Sequence, residues 1–178
     1  MKRFLDDFLY QKINKEDCYV IAADVGYFPK SRKCSNFIDV GNNEFCVGSV
    51  AEGLLSKGNN VFIYDICGYI LKNSYASLFA RNNTYYENKG ILTILGWGSG
   101  FSYDGCLLGH YPFDDLCLAK LLGLSLKIPY NKNSFLSYIE DISSDSYIRM
   151  FDLNTYKNER YFFHLTKYKY IFVGEGWI

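Results

Sequence analysis

Apolar residues form two patterns that alternate along the chain. Short continuous apolar runs, typical of strands buried on both faces of a sheet, occupy the ranges 19–23, 61–64, 91–95, 124–129 and 147–151. Segments with helical spacing of apolar residues occupy the ranges 2–14, 43–58, 69–81, 112–122 and 133–142. Strands that alternate with helices in this way predict an α/β fold, in which a mostly parallel sheet carries helices on both faces.

Candidate capping residues mark the ends of two predicted helices. Asn42 or Asn43 suits the N-cap of the second helix, and Gly58 suits the left-handed position that follows its end. Asn133 or Ser134 is placed to start the fifth helix. These residues therefore predict both ends of the second helix and the beginning of the fifth.

Residues able to carry chemistry follow the predicted strands. Asp24, Glu44, Tyr69 and the segment 98–110 all come just after strand or near-strand segments. In parallel sheets, ligands bind beyond the carboxyl ends of the strands. These residues are therefore predicted to converge on one edge of the sheet.

Glu44 is the most informative of these residues. Its apolar neighbours in the sequence are Val40, Phe45, Val47 and Val50. A carboxyl group embedded among such side chains is desolvated, so its pKa should rise and its neutral, hydrogen-bond-donating form should become accessible. The alternative is an ordinary glutamate at a helix start, which the helix dipole favours.

Composition limits the classes of protein that fit. A chain of 178 residues with 49% hydrophobic content can bury one full core, and we predict one domain over residues 1–152 with a tail over 153–178 that adds one strand. The balance of 19 basic and 19 acidic residues predicts neither a nucleic-acid nor a membrane partner, and we expect a cytoplasmic protein. The six cysteines contain no C-x-x-C pair, so neither a zinc site nor a redox dithiol is indicated.

Four sequence blocks, taken in order, resemble a known family. They are Ala23-Asp24-Val25-Gly26, the segment around Glu44, the strand and aromatic helix of 60–76, and the glycine-rich run with Asp-Gly, His and Asp-Asp residues over 98–115. Together they resemble the pyrimidine-binding domain of transketolases and of 1-deoxyxylulose-5-phosphate synthase, across positions 1–152. The resemblance implies a thiamine diphosphate-binding α/β fold.

The resemblance also implies roles around the cofactor. Glu44 corresponds to the glutamate that hydrogen-bonds N1′ of the aminopyrimidine and so promotes loss of the thiazolium C2 proton. His110 corresponds to a second catalytic residue near the pyrimidine amino group, although a histidine so close to a proline is often structural. Tyr69 and Tyr75 stand where family aromatics surround the pyrimidine, with core packing as the alternative. Lys72 stands at a cofactor-facing position where transketolases have a further aromatic.

Substrate contacts are implied at two further positions. Arg3 corresponds to an arginine that grips a sugar phosphate, for which the planar guanidinium is well suited, while ordinary solvation is the alternative. Asp104 corresponds to the acidic residue of an Asp-Gly pair, whose alternative is a simple turn. A second phosphate anchor matches Ser31 or Arg32, depending on the register. The substrate-facing histidine of transketolases is replaced by Gly98, or by Gly96 or Trp97 in other registers, which implies a different acceptor or a different way of holding it.

A missing motif implies a partner. The family holds Mg²⁺ and the cofactor diphosphate with a Gly-Asp-Gly motif and a downstream Asn on a separate domain, and nothing in this sequence matches it. The resemblance thus implies a split transketolase-like enzyme, a heterotetramer with a pyrophosphate-domain subunit. It would transfer a two-carbon ketol unit between sugars or sugar-like aldehydes, with a sugar or sugar phosphate as substrate. The alternatives are a beta-type subunit of a 2-oxoacid dehydrogenase or deoxyxylulose-type synthase, and a non-catalytic binding subunit.

Overall fold

The computed structural model describes residues 2–16, 18–24, 26, 28–83, 90–98 and 115–150. The candidate residues Asp104 and His110 lie outside these ranges. So do the predicted domain boundary at 152, the tail over 153–178 and the predicted helix start at Pro112.

Helices and strands alternate along the described chain. The helices are α1 (Lys2–Glu16), α2 (Glu44–Leu55), α3 (Cys67–Asn83), α4 (Asp115–Leu121) and α5 (Lys132–Glu140). The strands are β1 (Cys18–Ala22), β2 (Phe37–Asp39), β3 (Asn60–Ile66), β4 (Leu92–Trp97), β5 (Ser125–Lys127) and β6 (Ser146–Arg149). Within the described ranges, none of the helices combines the length and the apolar character needed to span a membrane.

All six strands belong to one parallel sheet with the order β2-β1-β3-β4-β6-β5. The central strands β3 and β4 are buried along almost their whole length, which explains their continuous apolar sequences. The predicted α/β fold with a parallel sheet is therefore confirmed.

Each face of the sheet carries its own hydrophobic core. One core contains Ile21, Ile63 and Ile94 of the sheet together with apolar residues of α2, α3 and α4. The other contains Val20 and Phe62 of the sheet with residues of α1 and α5. Because side chains alternate along a strand, neighbouring strand residues enter opposite cores. The sheet is thus the middle of three layers.

The strand order of the described sheet reverses direction twice. From β1 the chain moves outward to β2 and then crosses back, through α2, to β3 on the other side of β1. A second reversal lies between β4 and β6, because β5 is placed outside β6. Such topological switch points are where open α/β sheets bind ligands.

The structure departs from the sequence pattern at both edge strands. Strand β5 spans only Ser125–Lys127 of the predicted run 124–129, and it is largely exposed rather than buried on both faces. The larger departure is at β2. This three-residue edge strand was not predicted, because its residues are only partly buried and form no continuous apolar run. Gly58 does adopt the expected positive φ, 84°, after α2. Asn43 occupies the N-cap of α2, although its side chain makes no capping hydrogen bond. The fifth helix begins one residue earlier than predicted, after Asn131, whose side chain accepts from the Ser134 backbone N–H at 2.8 Å.

Candidate functional site

Glu44 is the first residue of α2 and lies at the β1/β3 switch point. Its side chain is buried, with 8% of its surface exposed, because it shares one helix stripe with Val47, Ala51 and Leu55. Phe45, expected from the sequence to help bury the carboxyl group, is instead 68% exposed. That expectation was wrong because successive helix residues point about 100° apart.

Asp65, the penultimate residue of β3, is a second carboxyl group at this switch point. It is fully buried, and strand alternation directs it to the same face as Val61 and Ile63, where α2 and α3 pack. Its Oδ1 atom accepts a hydrogen bond of 2.6 Å from the Ile66 backbone N–H. Its Oδ2 atom is buried and has no hydrogen-bond partner within the described ranges.

The environment of Asp65 changes its acidity. The pKa of this carboxyl is raised from 3.8 to about 7, mainly by burial and to a smaller extent by the negative charge of Glu44. The hydrogen bond from Ile66 opposes both effects. An aspartate that carries a proton near neutral pH is uncommon outside functional sites, although buried structural carboxyls also show it.

Helix α3 supplies the remaining described residues of the candidate cofactor site. Tyr69, Lys72 and Tyr75 are all partly buried. Tyr69 lies in the first turn of α3, next to the carboxyl edge of the sheet. Tyr75 lies about 9 Å further along the helix axis, packs against the core and stacks on Phe79 with ring centroids 5.6 Å apart. The structure therefore favours Tyr69 over Tyr75 as a residue that reaches the sheet edge.

Close packing between α2 and α3 holds Glu44 in place. The Ser74 hydroxyl donates a hydrogen bond of 3.3 Å to the Glu44 backbone carbonyl. One turn further along α2, a Cβ added to Gly48 would lie 2.8 Å from the Ser74 Cβ, so only glycine allows this approach. Ser49 and Ser77 join the two helices again through a hydroxyl contact of 2.9 Å. Small residues thus fix the position of Glu44 relative to α3.

The second switch point also contains a buried acid, but the carboxyl oxygens of this acid have hydrogen-bond partners. Asp115, the first residue of α4, is fully buried, and its Oδ2 atom accepts hydrogen bonds from Tyr147 Oη at 2.7 Å and Arg149 Nε at 2.6 Å. Burial raises the pKa of the neighbouring Cys67 thiol to about 12. Asp115 therefore has the bonding expected of a structural acid, whereas Asp65 does not.

The candidate substrate anchors are dispersed. Arg3 is exposed on α1, on the opposite face of the sheet from α2 and α3. Ser31 is fully buried and donates through its hydroxyl to Asp6 Oδ1 at 2.8 Å, which indicates a structural role. Arg32 pairs with Asp39 at 2.5 Å, and Asp39 Oδ1 accepts from the Asp24 backbone N–H at 3.3 Å.

An open groove of ≈670 Å³ lies at the other edge of the sheet. Its walls come from the second half of α1 and from residues 30–36, which lead into the amino end of β2. This position is remote from Glu44 and Asp65. Within the described part of the chain, no group of three or more His, Cys, Asp or Glu side chains is arranged to hold a metal ion.

Asp65 and Ser74 are the site residues that sequence reasoning missed. One signal was present: an aspartate interrupts the otherwise apolar run of β3. The predicted strand ended at Tyr64, so Asp65 was not assigned to the sheet. The sheet and the two helices that cover it instead enclose the carboxyl group.

Comparison with solved structures supports the fold. No protein-family model matches the chain, and no curated protein matches it. Among solved structures, it is similar to a chain described as a split gene transketolase, inactive beta4 tetramer, with a TM-score of 0.61 and 18% sequence identity. The similarity covers 84% of this chain and 51% of that chain, so the protein spans about half the length of its structural neighbour. The protein therefore has a transketolase-like fold.

Proposed function

We propose that this chain is the pyrimidine-binding subunit of a split, thiamine diphosphate-dependent, transketolase-like enzyme. The observation that carries the proposal is the buried carboxyl group of Glu44 at the topological switch point of a transketolase-like fold. A buried glutamate at a ligand-binding crevice is unusual unless its acid-base chemistry is used.

The described residues fit the pyrimidine half of the cofactor. Glu44 provides a carboxyl group for a ring nitrogen, and Tyr69 provides an aromatic ring at the same edge. Lys72 follows one turn after Tyr69 on α3. Thiamine diphosphate supplies, once bound, an acidic carbon whose deprotonated form attacks a ketose carbonyl.

The role proposed for Glu44 is to hold and exchange a proton at N1′ of the aminopyrimidine. Its burial excludes bulk water from the carboxyl group and so strengthens that hydrogen bond. The Ser74 contact and the close approach at Gly48 hold the start of α2 against α3 and therefore restrict the position of Glu44. His110 is proposed as a second acid-base residue, and Arg3 and Asp104 as substrate contacts.

A partner subunit is proposed to complete the site. The aligned part of this chain covers 51% of the structural neighbour, which is described as an inactive beta4 tetramer. Both facts support a requirement for a pyrophosphate-domain subunit that holds Mg²⁺ and the diphosphate, in a heterotetramer. Phe45, next to Glu44, is 68% exposed and provides an apolar contact for such a subunit.

The decisive experiment replaces Glu44 by Gln in the assembled protein. Glutamine preserves size and hydrogen bonding but removes the proton equilibrium, so ketol transfer should fall by at least about a hundredfold. Glu140→Gln, at the exposed end of α5, is the matched control and should leave activity unchanged. Near-normal turnover of the Glu44 variant would refute the proposed role.

Calorimetry and sedimentation test the requirement for a partner. Thiamine diphosphate should bind tightly and with Mg²⁺ dependence only after the pyrophosphate-domain subunit is added, because this chain carries half of the proposed site. Tight binding to the chain alone would contradict the split site. A chain that stays monomeric at micromolar concentration with that subunit present would instead favour the non-catalytic binding subunit.

A further inference from the structure

The groove between α1 and residues 30–36 has no role in the proposed function, yet it has the size of a small-molecule site. Its volume of ≈670 Å³ lies within the range of about 300–1,000 Å³ that is usual for ligand pockets. The groove lies at the amino ends of β1 and β2, whereas Glu44 and Asp65 lie at the carboxyl edge of the sheet. A ligand in the groove would therefore be separate from the candidate cofactor site.

Hydrogen bonds hold the two walls of the groove together. The Asp6 carboxylate of α1, 2% exposed, accepts from the backbone N–H groups of Lys30 at 3.1 Å and Ser31 at 2.9 Å. Further along α1, Asn14 donates from Nδ2 to Cys34 Sγ on the opposite wall at 3.7 Å. The walls are thus in place without a ligand, which lowers the entropic cost of binding one.

The groove offers an apolar surface to a flat ring. Ile13 is 7% exposed and belongs to the core beneath α1, so it forms a fixed apolar base. Tyr10 is 41% exposed, and its ring makes no stacking contact with another aromatic residue in the described part of the chain. An aromatic face of this kind stacks well on a planar ligand.

The charge of the groove is positive. Its cationic side chains are Lys30 and Lys33, and none of the described residues that line it is acidic. Lys30 is already paired with Asp7. Lys33 is exposed and forms no ion pair within the described ranges. A lysine without a carboxylate partner, placed in a groove of ligand size, favours an anionic group on the ligand.

We propose that this groove is a binding site for a small organic anion. A flat ring of the ligand packs against Tyr10 and Ile13, and its anionic group contacts Lys33. The site stands independently of the proposed function, because none of the residues assigned to the cofactor lines the groove. Cys34 also lines the groove and reports its occupancy, since a bound ligand covers the thiol.

Alkylation of Cys34 in the full chain tests the site, with anilinonaphthalene sulfonate as the probe because it joins an aromatic body to an anionic group. Iodoacetamide should label Cys34 more slowly when the probe is present, as measured by mass spectrometry of the digested protein. Cys117, exposed on α4, is the internal control and should be labelled at the same rate with and without the probe. Phenylnaphthylamine, which has the rings without the charge, and methanesulfonate, which has the charge without the rings, should each protect Cys34 less.

Substitutions in the groove test the two contacts separately. Lys33→Gln should raise the probe concentration that gives half-maximal protection by roughly fivefold, as expected for an exposed ionic contact. Lys57→Gln, an exposed position after α2, is the matched control and should leave that concentration unchanged. Tyr10→Ala should also weaken protection, whereas Tyr130→Ala, at a similarly exposed tyrosine outside the groove, should not.

Three results would overturn the proposal. Probe fluorescence that rises while Cys34 is labelled at its original rate would place the probe elsewhere on the protein. Equal protection by phenylnaphthylamine, or unchanged protection in Lys33→Gln, would remove the requirement for an anion. Unchanged protection in Tyr10→Ala would remove the contact with the ring.

Discussion

Substitution of Asp65 by Asn should change how the stability of the protein depends on pH. The folded-state pKa of Asp65, about 7, lies above its ordinary value of 3.8. The folded state therefore binds this proton more tightly than the unfolded state does. The stabilisation is fully present below about pH 4 and is lost as pH rises through 7.

The size of this effect follows from the shift in pKa. Each pKa unit corresponds to about 1.4 kcal/mol, and the shift from 3.8 to about 7 therefore corresponds to about 4 kcal/mol. Asn does not titrate. The free energy of unfolding of Asp65→Asn, minus that of the natural sequence, should therefore rise by about 4 kcal/mol between pH 4 and pH 8.

Urea unfolding, followed by circular dichroism at intervals between pH 4 and pH 8, measures this difference. Carboxyl groups that do not interact with Asp65 contribute equally to both proteins, so their effects cancel. Asp141→Asn, at an exposed position after α5, is the matched control and should show no comparable trend. The raised pKa of Asp65 would be refuted if the two proteins differed in free energy of unfolding by the same amount at every pH between 4 and 8.

Two further predictions concern packing at the switch points. Gly48→Ala places a Cβ 2.8 Å from Ser74 and should cost about 1–3 kcal/mol in urea unfolding. Gly53→Ala, with no atom within 4 Å, should stabilise α2 by about 0.5–1 kcal/mol, and equal effects of the two variants would contradict the close helix contact. Arg149→Met leaves the Asp115 carboxylate buried without its cation and should cost about 3–5 kcal/mol. Adding Asp115→Asn to that variant should recover part of the loss, and no recovery would argue against the buried ion pair.

The position of the candidate site was predictable from the sequence because two simple periodicities carry most of the information. Continuous apolar runs identified the central strands, and the cap signals identified the ends of α2. Once strands alternate with helices, parallel pairing places the residues after each strand on one edge. Asp24, Glu44 and Tyr69 follow strands in this way and lie at that edge.

The strand order was not predictable, because it depends on pairing between distant segments. β2 has three partly buried residues, and only its hydrogen bonds with β1 define it as a strand. Without β2, the reversal of direction at β1 cannot be recognised. The switch point that gives Glu44 its significance therefore emerges only from the assembled sheet.

The sequence by itself determined the fold class, the approximate positions of the helices in the described ranges and the identity of Glu44 as the candidate acid, since local periodicity and residue type are properties of single segments. The tertiary structure decided that Phe45 is exposed, that Ser74 contacts Glu44, and that Asp65 is buried without a partner for one oxygen. Burial and charge coupling depend on which surfaces meet in space, and no single segment of the chain encodes that meeting.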